Sequence, residues 1–309
     1  MTLPLQQNLI GRPYAPAECV VDPESIAQVQ HALMSVSAAD LDASTVKEFC
    51  NTYRGWISST KINSVIGLDQ FPVAAVSQGT TQAFDNFYVK HHSKRFRCWR
   101  GEYIYHQRVW QQHYPNQWAF LDDAPLEHND AVIVSWPFAD TGNRHSGFDK
   151  DFLDQCYQLQ IPVLLDLAFF GVCGNQQFDF DHPAVTDLVF SLSKTFPVNH
   201  LRIGIRFTRQ NHEDGMQIYH STEYVNKFTC AVGTKLMLQQ HPDQQFQRWR
   251  SGQIKFCELL GLAVSDTVLF GLDTKHRYDH YNRGSVHTNR LCFSRYFVTG
   301  SLVKDVVNY

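Results

Sequence analysis

One lysine in this sequence keeps unusual company. Residues 191–207 read SLSKTFPVNHLRIGIRF, which puts Ser191 and Ser193 before Lys194 and places Arg202 eight positions after it. An amine held near cations and partly removed from water has a lowered pKa, which favours Schiff-base chemistry with a carbonyl. Serine hydroxyls and a planar guanidinium are together suited to a phosphate. The plain alternative is a solvated surface lysine, where most lysines lie.

Two further stretches place chemistry directly after apolar runs. In SQGTTQAF (77–84), Gly79, Thr80 and Thr81 open a helix behind FPVAAV. Free backbone N–H groups and the positive end of a helix dipole there would suit a phosphate, although a threonine at that point can equally serve as a cap. In LLDLAFFG (164–171), Asp166 closes an apolar run. A carboxylate so placed must find a partner, either a turn or the protonated ring nitrogen of a heterocycle. The stretch VSWPFADTGN (134–143) ends in ordinary turn residues.

These residues need a scaffold that brings strand ends together. Short apolar runs at 71–76, 95–99, 131–136, 162–167, 187–192 and 203–207 predict strands, several of them buried on both faces. Helical spacing at 24–57, 81–92 and 149–160 alternates with them, which predicts a mostly parallel α/β sheet. Ligands of such sheets sit outside the carboxyl ends of the strands. Beyond about residue 215 the texture changes, with a long helix predicted in YVNKFTCAVGTKLMLQQ and a strand at 289–298. The division expected is an N-terminal segment (1–45) packed on a small C-terminal domain (216–309), with a large domain at 46–215.

Composition narrows the class. Hydrophobic residues at 43% and charged residues at 18% belong to a globular chain. A formal charge of −3 without a basic block argues against nucleic acid or an anionic membrane as partner. Neither a secretory leader nor a spanning segment is visible. Eight scattered cysteines with no CxxC pair predict reduced thiols in a cytoplasmic protein, and the fifteen dispersed histidines show no metal spacing.

In this order the motifs resemble the fold type I enzymes dependent on pyridoxal 5'-phosphate, the aspartate-aminotransferase-like class I/II aminotransferases. The resemblance spans about 75–295, and the lysine segment is its most specific part. It implies that Lys194 forms a Schiff base with the cofactor, while Ser191, Ser193 and Arg202 hold its phosphate. It implies that Gly79, Thr80 and Thr81 line the phosphate loop and that Asp166 pairs with the pyridinium nitrogen. Tyr103, with Tyr105 in reserve, falls where an aromatic ring stacks on the cofactor. Arg290 falls on the arginine that clamps the substrate carboxylate. The resemblance further implies a homodimer, with Tyr53 or another aromatic of the N-terminal third as a candidate to reach the neighbouring phosphate.

Two positions depart from the family pattern. Its usual Asn-Pro-Thr-Gly reads Ala139-Asp140-Thr141-Gly142 here, and its Asp-x-Ala-Tyr reads Asp166-Leu167-Ala168-Phe169. Both usual donors to the cofactor's phenolic oxygen are thereby lost, unless Asp140, Asn143 or a water compensates. Losing them should raise the pKa of the Schiff base. The chain is also short for the family, which implies a trimmed small domain. The activity implied is transfer of an amino group between an L-amino acid and a 2-oxo acid. The alternatives are carbon–sulfur β-elimination and cofactor binding without turnover.

Overall fold

The computed structural model describes residues 17–282 and 288–299. Helices α1 (Pro23–Ser35) and α2 (Thr45–Ser58) precede a short strand β1 (Ser64–Ile66). Then β2 (Val73–Gln78), α3 (Gly79–Lys90), β3 (Arg95–Cys98), α4 (Ile104–His113), β4 (Trp118–Phe120) and β5 (Asp130–Ser135) follow. The next elements are α5 (Lys150–Gln158), β6 (Val163–Asp166), β7 (Gln177–Asp179), β8 (Val185–Ser191) and β9 (Ile203–Thr208). The chain continues through α6 (Gly215–Ser221), α7 (Lys227–Gln239), α8 (Gln244–Leu260), β10 (Ala263–Val264), β11 (Phe270–Asp273), β12 (Asn289–Cys292) and α9 (Ser294–Thr299).

Seven strands form the central sheet in the order β2-β9-β8-β6-β5-β3-β4. All pair in parallel except β9, which runs antiparallel to both β2 and β8. Period-two alternation sorts the side chains onto two faces. Val132 and Val134 of β5, Leu165 of β6, and Leu188 and Phe190 of β8 join a core shared with α2 and α7. Ala131 and Ile133, Leu164 and Val189 point the other way, into a core with Phe84, Phe87 and Tyr88 of α3 and Trp110 of α4. Extending that alternation by one step puts Ser135, Asp166 and Ser191 on the second face, at the carboxyl ends of three strands. The site is therefore positioned by register alone.

A second, three-stranded antiparallel sheet, β10-β11-β12, packs with α8 around Phe256, Leu269, Phe270, Leu291 and Phe293. Val20 from the N-terminal stretch lies in the same core. The strand expected over 289–298 is shorter than that. It ends at Cys292, and Ser294 opens a helix whose Phe297 packs face-on to Trp249, with centroids 4.5 Å apart. Tyr53 is fully buried, edge-on to Phe49 and Trp56, so it belongs to the core and does not reach a neighbouring subunit's phosphate. All eight cysteines are free and buried. Among the described residues no helix is long and apolar enough to cross a membrane.

Candidate functional site

Gly79, the first residue of α3, follows β2 directly, and no side chain caps the helix start. Its backbone is left-handed at φ 67°, a region that favours glycine. Arg202 occupies the space beside it: a β-carbon on Gly79 would lie 2.8 Å from the guanidinium carbon. Arg202 donates to the Thr81 hydroxyl at 3.1 Å and is itself held at φ 55°. A non-glycine residue in that region costs roughly 1–3 kcal/mol, and such strain persists where the surroundings impose it. Gly204 lets the strands close in from the other side, since a β-carbon there would meet Ser77 Oγ at 2.7 Å and Gly79 Cα at 2.9 Å.

The serines complete this corner. Ser191 Oγ lies 2.9 Å from Ser193 Oγ and 3.1 Å from the Ile203 carbonyl, with one proton to give to either, and it accepts from Ser193 N. Thr80 is buried beside them at the helix start. The corner is a guanidinium, four hydroxyls and a bare helix N-terminus, and among the described residues Arg202 forms no ion pair. That donor set fits a phosphate dianion. A cleft of about 580 Å³ opens against it, lined by Ser77, Gln78, Arg202, Met216, Tyr219 and Tyr224.

Lys194 follows β8 by three residues. Its backbone carbonyl accepts from Val20 N at 3.0 Å, and its amine donates to the Ala17 carbonyl, so the N-terminal stretch crosses the site. Burial holds the amine below its ordinary value; the neighbouring Arg290 charge adds to this, while Cys292, Cys19 and Asp166 oppose it. Among the described residues Lys194 forms no ion pair.

Asp166 is 6% exposed at the end of β6 and accepts from Ala168 N at 3.1 Å. Its carboxyl is pushed up to about 7, chiefly by burial and next by the charge of Glu102; Ala168, Lys194 and Ser135 pull the other way. A cationic ring nitrogen is the natural partner for such a group, because it would relieve the desolvation.

Arg290 is 2% exposed on β12, its guanidinium carbon 4.3 Å from the centre of the Phe270 ring and one nitrogen donating to the Ala139 carbonyl. The structure thus brings Arg290 to the position where the sequence departs from the family pattern. Phe169 stands edge-on to Phe270 at 5.3 Å, facing the second core. Asn143 is anchored at Asp266, its side-chain oxygen accepting from Asp266 N at 2.7 Å. Tyr103, at the N-cap of α4, is 39% exposed, and its ring stacks on Tyr105 at 6.0 Å. Tyr105 instead binds Asp85 through its hydroxyl at 2.6 Å, which ties it to α3.

Two neighbours of Asp166 escaped the sequence reading. Glu102 lies inside the WRGEY stretch and Ser135 ends VIVS. Nothing about either type or spacing separates them from a surface glutamate and a strand-end serine. Their pairing appears only when β3, β5 and β6 lie side by side.

No protein-family model matches the chain, and no curated protein matches it significantly in sequence. Solved structures do match. A pyridoxal-phosphate-bound C-S lyase from Staphylococcus hominis aligns over 94% of this chain and 88% of its own, with TM-score 0.70 at 8% identity. Tyrosine aminotransferase from Leishmania infantum aligns over 98% and 94%, with TM-score 0.68 at 13% identity. An aminotransferase from Staphylococcus aureus aligns over 92% and 89%, with TM-score 0.63 at 11% identity. With alignments of this quality over nearly its whole length, the chain has the aspartate-aminotransferase-like fold type I architecture expected from its motifs.

Proposed function

We propose that the protein is a pyridoxal 5'-phosphate-dependent aminotransferase acting between an L-amino acid and a 2-oxo acid. The observation that carries this reading is the gathering of three unlike groups at the carboxyl ends of the parallel strands. These are a desolvated lysine, a buried carboxyl at a strand end, and an arginine–hydroxyl cradle at a helix N-terminus.

Arg202 and the hydroxyls of Thr80, Thr81, Ser191 and Ser193, with the backbone at Gly79, would hold the phosphate. Asp166 would hold a proton at the ring nitrogen, and the Tyr103 ring would cover one face. Bound there, the cofactor supplies an electron sink for negative charge developing at the substrate α-carbon. Lys194 anchors the cofactor, and its amine, when displaced, moves a proton to or from the α-carbon. Burial lowers its pKa and so favours the neutral amine that a base must be. Arg290 takes the α-carboxylate bidentately and so fixes which bond faces the ring. Ala139 and the Phe270 ring hold that guanidinium in place.

A second reading is β-elimination from a sulfur-bearing amino acid. A C-S lyase is among the structural neighbours, and position 169 carries no hydroxyl. The two readings part at the products. Purified protein given pyridoxal phosphate and a panel of amino acids with one 2-oxo acid should yield a new amino acid. Released ammonia with a 2-oxo acid product would favour elimination. In the same reading the working unit is a homodimer in the cytoplasm. The exposed Tyr219 and Tyr224 beside the cradle, and Phe228 on α7, offer the apolar surface such a contact would cover.

A further inference from the structure

Register brings a second carboxylate to Asp166. β5 and β6 pair in parallel with Ser135 opposite Asp166, so the two side chains leave the sheet on one face. Ser135 is 3% exposed; its N–H reaches Glu102 Oε2 at 2.9 Å and its hydroxyl bonds to Oε1, close enough to Asp166 to interact with that carboxyl too. Tyr103 N–H reaches the same Oε1 at 2.9 Å. Glu102 is 7% exposed and Asp166 6%. Three donors suit an acceptor-only carboxylate, so Glu102 is the member built to stay ionised. Asp166 accepts from Ala168 N at 3.1 Å and otherwise shares the single Ser135 hydroxyl proton with Glu102, so it has fewer donors to hold a charge.

We propose that Glu102 is a positioning residue for the ring-nitrogen proton: its buried charge, set against Asp166 across Ser135, keeps one proton in the Asp166 site whether or not the cofactor is present. This rests on the cofactor reading above. In the empty protein two buried carboxylates repel, and one takes the proton. In the loaded protein the proton lies on the contact between Asp166 and the ring nitrogen, and the second negative charge raises the pH at which it is lost. The other groups facing Asp166 are Lys194 after β8, whose charge opposes the effect, and Tyr88 on α3, whose buried phenol is raised and stays neutral.

The test has two arms. In cofactor-free protein, infrared titration follows the carbonyl stretch of a protonated carboxyl, assigned by its loss in Asp166→Asn. The wild-type midpoint should lie near 7. In Glu102→Gln it should fall by at least about one unit, and Glu102→Asp should restore it. A wild-type midpoint below about 5 overturns the proposal without any variant having to fold.

The second arm compares binding of pyridoxal phosphate with that of its analogue carrying CH in place of the ring nitrogen. Glu102→Gln should cut the preference for the nitrogen compound at least about tenfold and leave the analogue's affinity unchanged. Equal loss of both ligands would make Glu102 merely structural and overturn the proposal. If neither compound binds the wild type, the cofactor reading has failed, and the infrared arm still decides whether Glu102 holds the proton.

Discussion

The guanidinium of Arg202 fills the space that a side chain at position 79 would need. A β-carbon on Gly79 would sit 2.8 Å from Arg202 Cζ, and the glycine's φ of 67° would strain any replacement besides. Gly79→Ala must therefore shift the one cation of the cradle. Affinity for pyridoxal phosphate should fall at least about tenfold, while affinity for pyridoxal, which lacks the phosphate, should hardly change. Equal losses for the two compounds in equilibrium binding would show that the cradle does not serve the phosphate.

Arg290 is buried against Phe270 and the Ala139 carbonyl, so its fork is fixed before any substrate arrives. Arg290→Lys keeps the charge and loses the bidentate geometry. Spectral titration should show amino acids binding roughly 10–100-fold more weakly, with amines that lack a carboxylate unaffected, the loss of a charge-assisted bond being worth about 1.5–3 kcal/mol.

Stability should respond to pH through two groups of opposite sign. His106 Nδ1 shares a hydrogen bond of 2.6 Å with the Tyr88 hydroxyl in a buried aromatic cluster, and burial lowers its pKa to about 3. A depressed histidine is fully stabilising above its ordinary pKa and loses stability as pH falls from 6.5 towards 3. Asp166 is raised to about 7 and works the other way, the empty protein losing stability as pH rises from 3.8 to that value. Denaturant unfolding at pH 4–6 should show the acid limb shallower in His106→Phe by up to about 1.4 kcal/mol per pH unit, and steeper in Asp166→Asn. His106→Phe also leaves the Tyr88 hydroxyl without its partner, which lowers stability at every pH by about 1–3 kcal/mol.

Ala139 and Phe169 offer no side-chain donor, Phe169 faces the second core, and Asn143 is anchored through its side-chain oxygen by Asp266 N. The visible band of the cofactor-loaded protein should accordingly persist as pH rises well past about 7. A titration midpoint below that value would mean another donor reaches the phenolic oxygen.

The sheet was legible because its strands are short apolar runs with turn residues between them. Ile133, Leu164 and Val189 had to be buried whatever the order of the strands. The lysine segment, Asp166 and the glycine loop were legible because each directly follows such a run. Glu102 and Ser135 were not, since Glu102 follows β3 and meets Ser135 only because β3 pairs with β5, while Ser135 meets Asp166 only through the parallel register of β5 with β6. The helix at Ser294 was hidden for another reason. Leu291, Phe293 and Phe297 are apolar with spacing that serves a strand as well as a helix, and burial in the second core decided between them.

The account stands or falls on Lys194. Purified protein incubated with pyridoxal phosphate should be treated with borohydride, digested and analysed by mass spectrometry. The account predicts a reduced pyridoxyl group on Lys194 and on no other lysine, abolished in Lys194→Ala. Labelling of a different lysine, or undiminished labelling in Lys194→Ala, would contradict it.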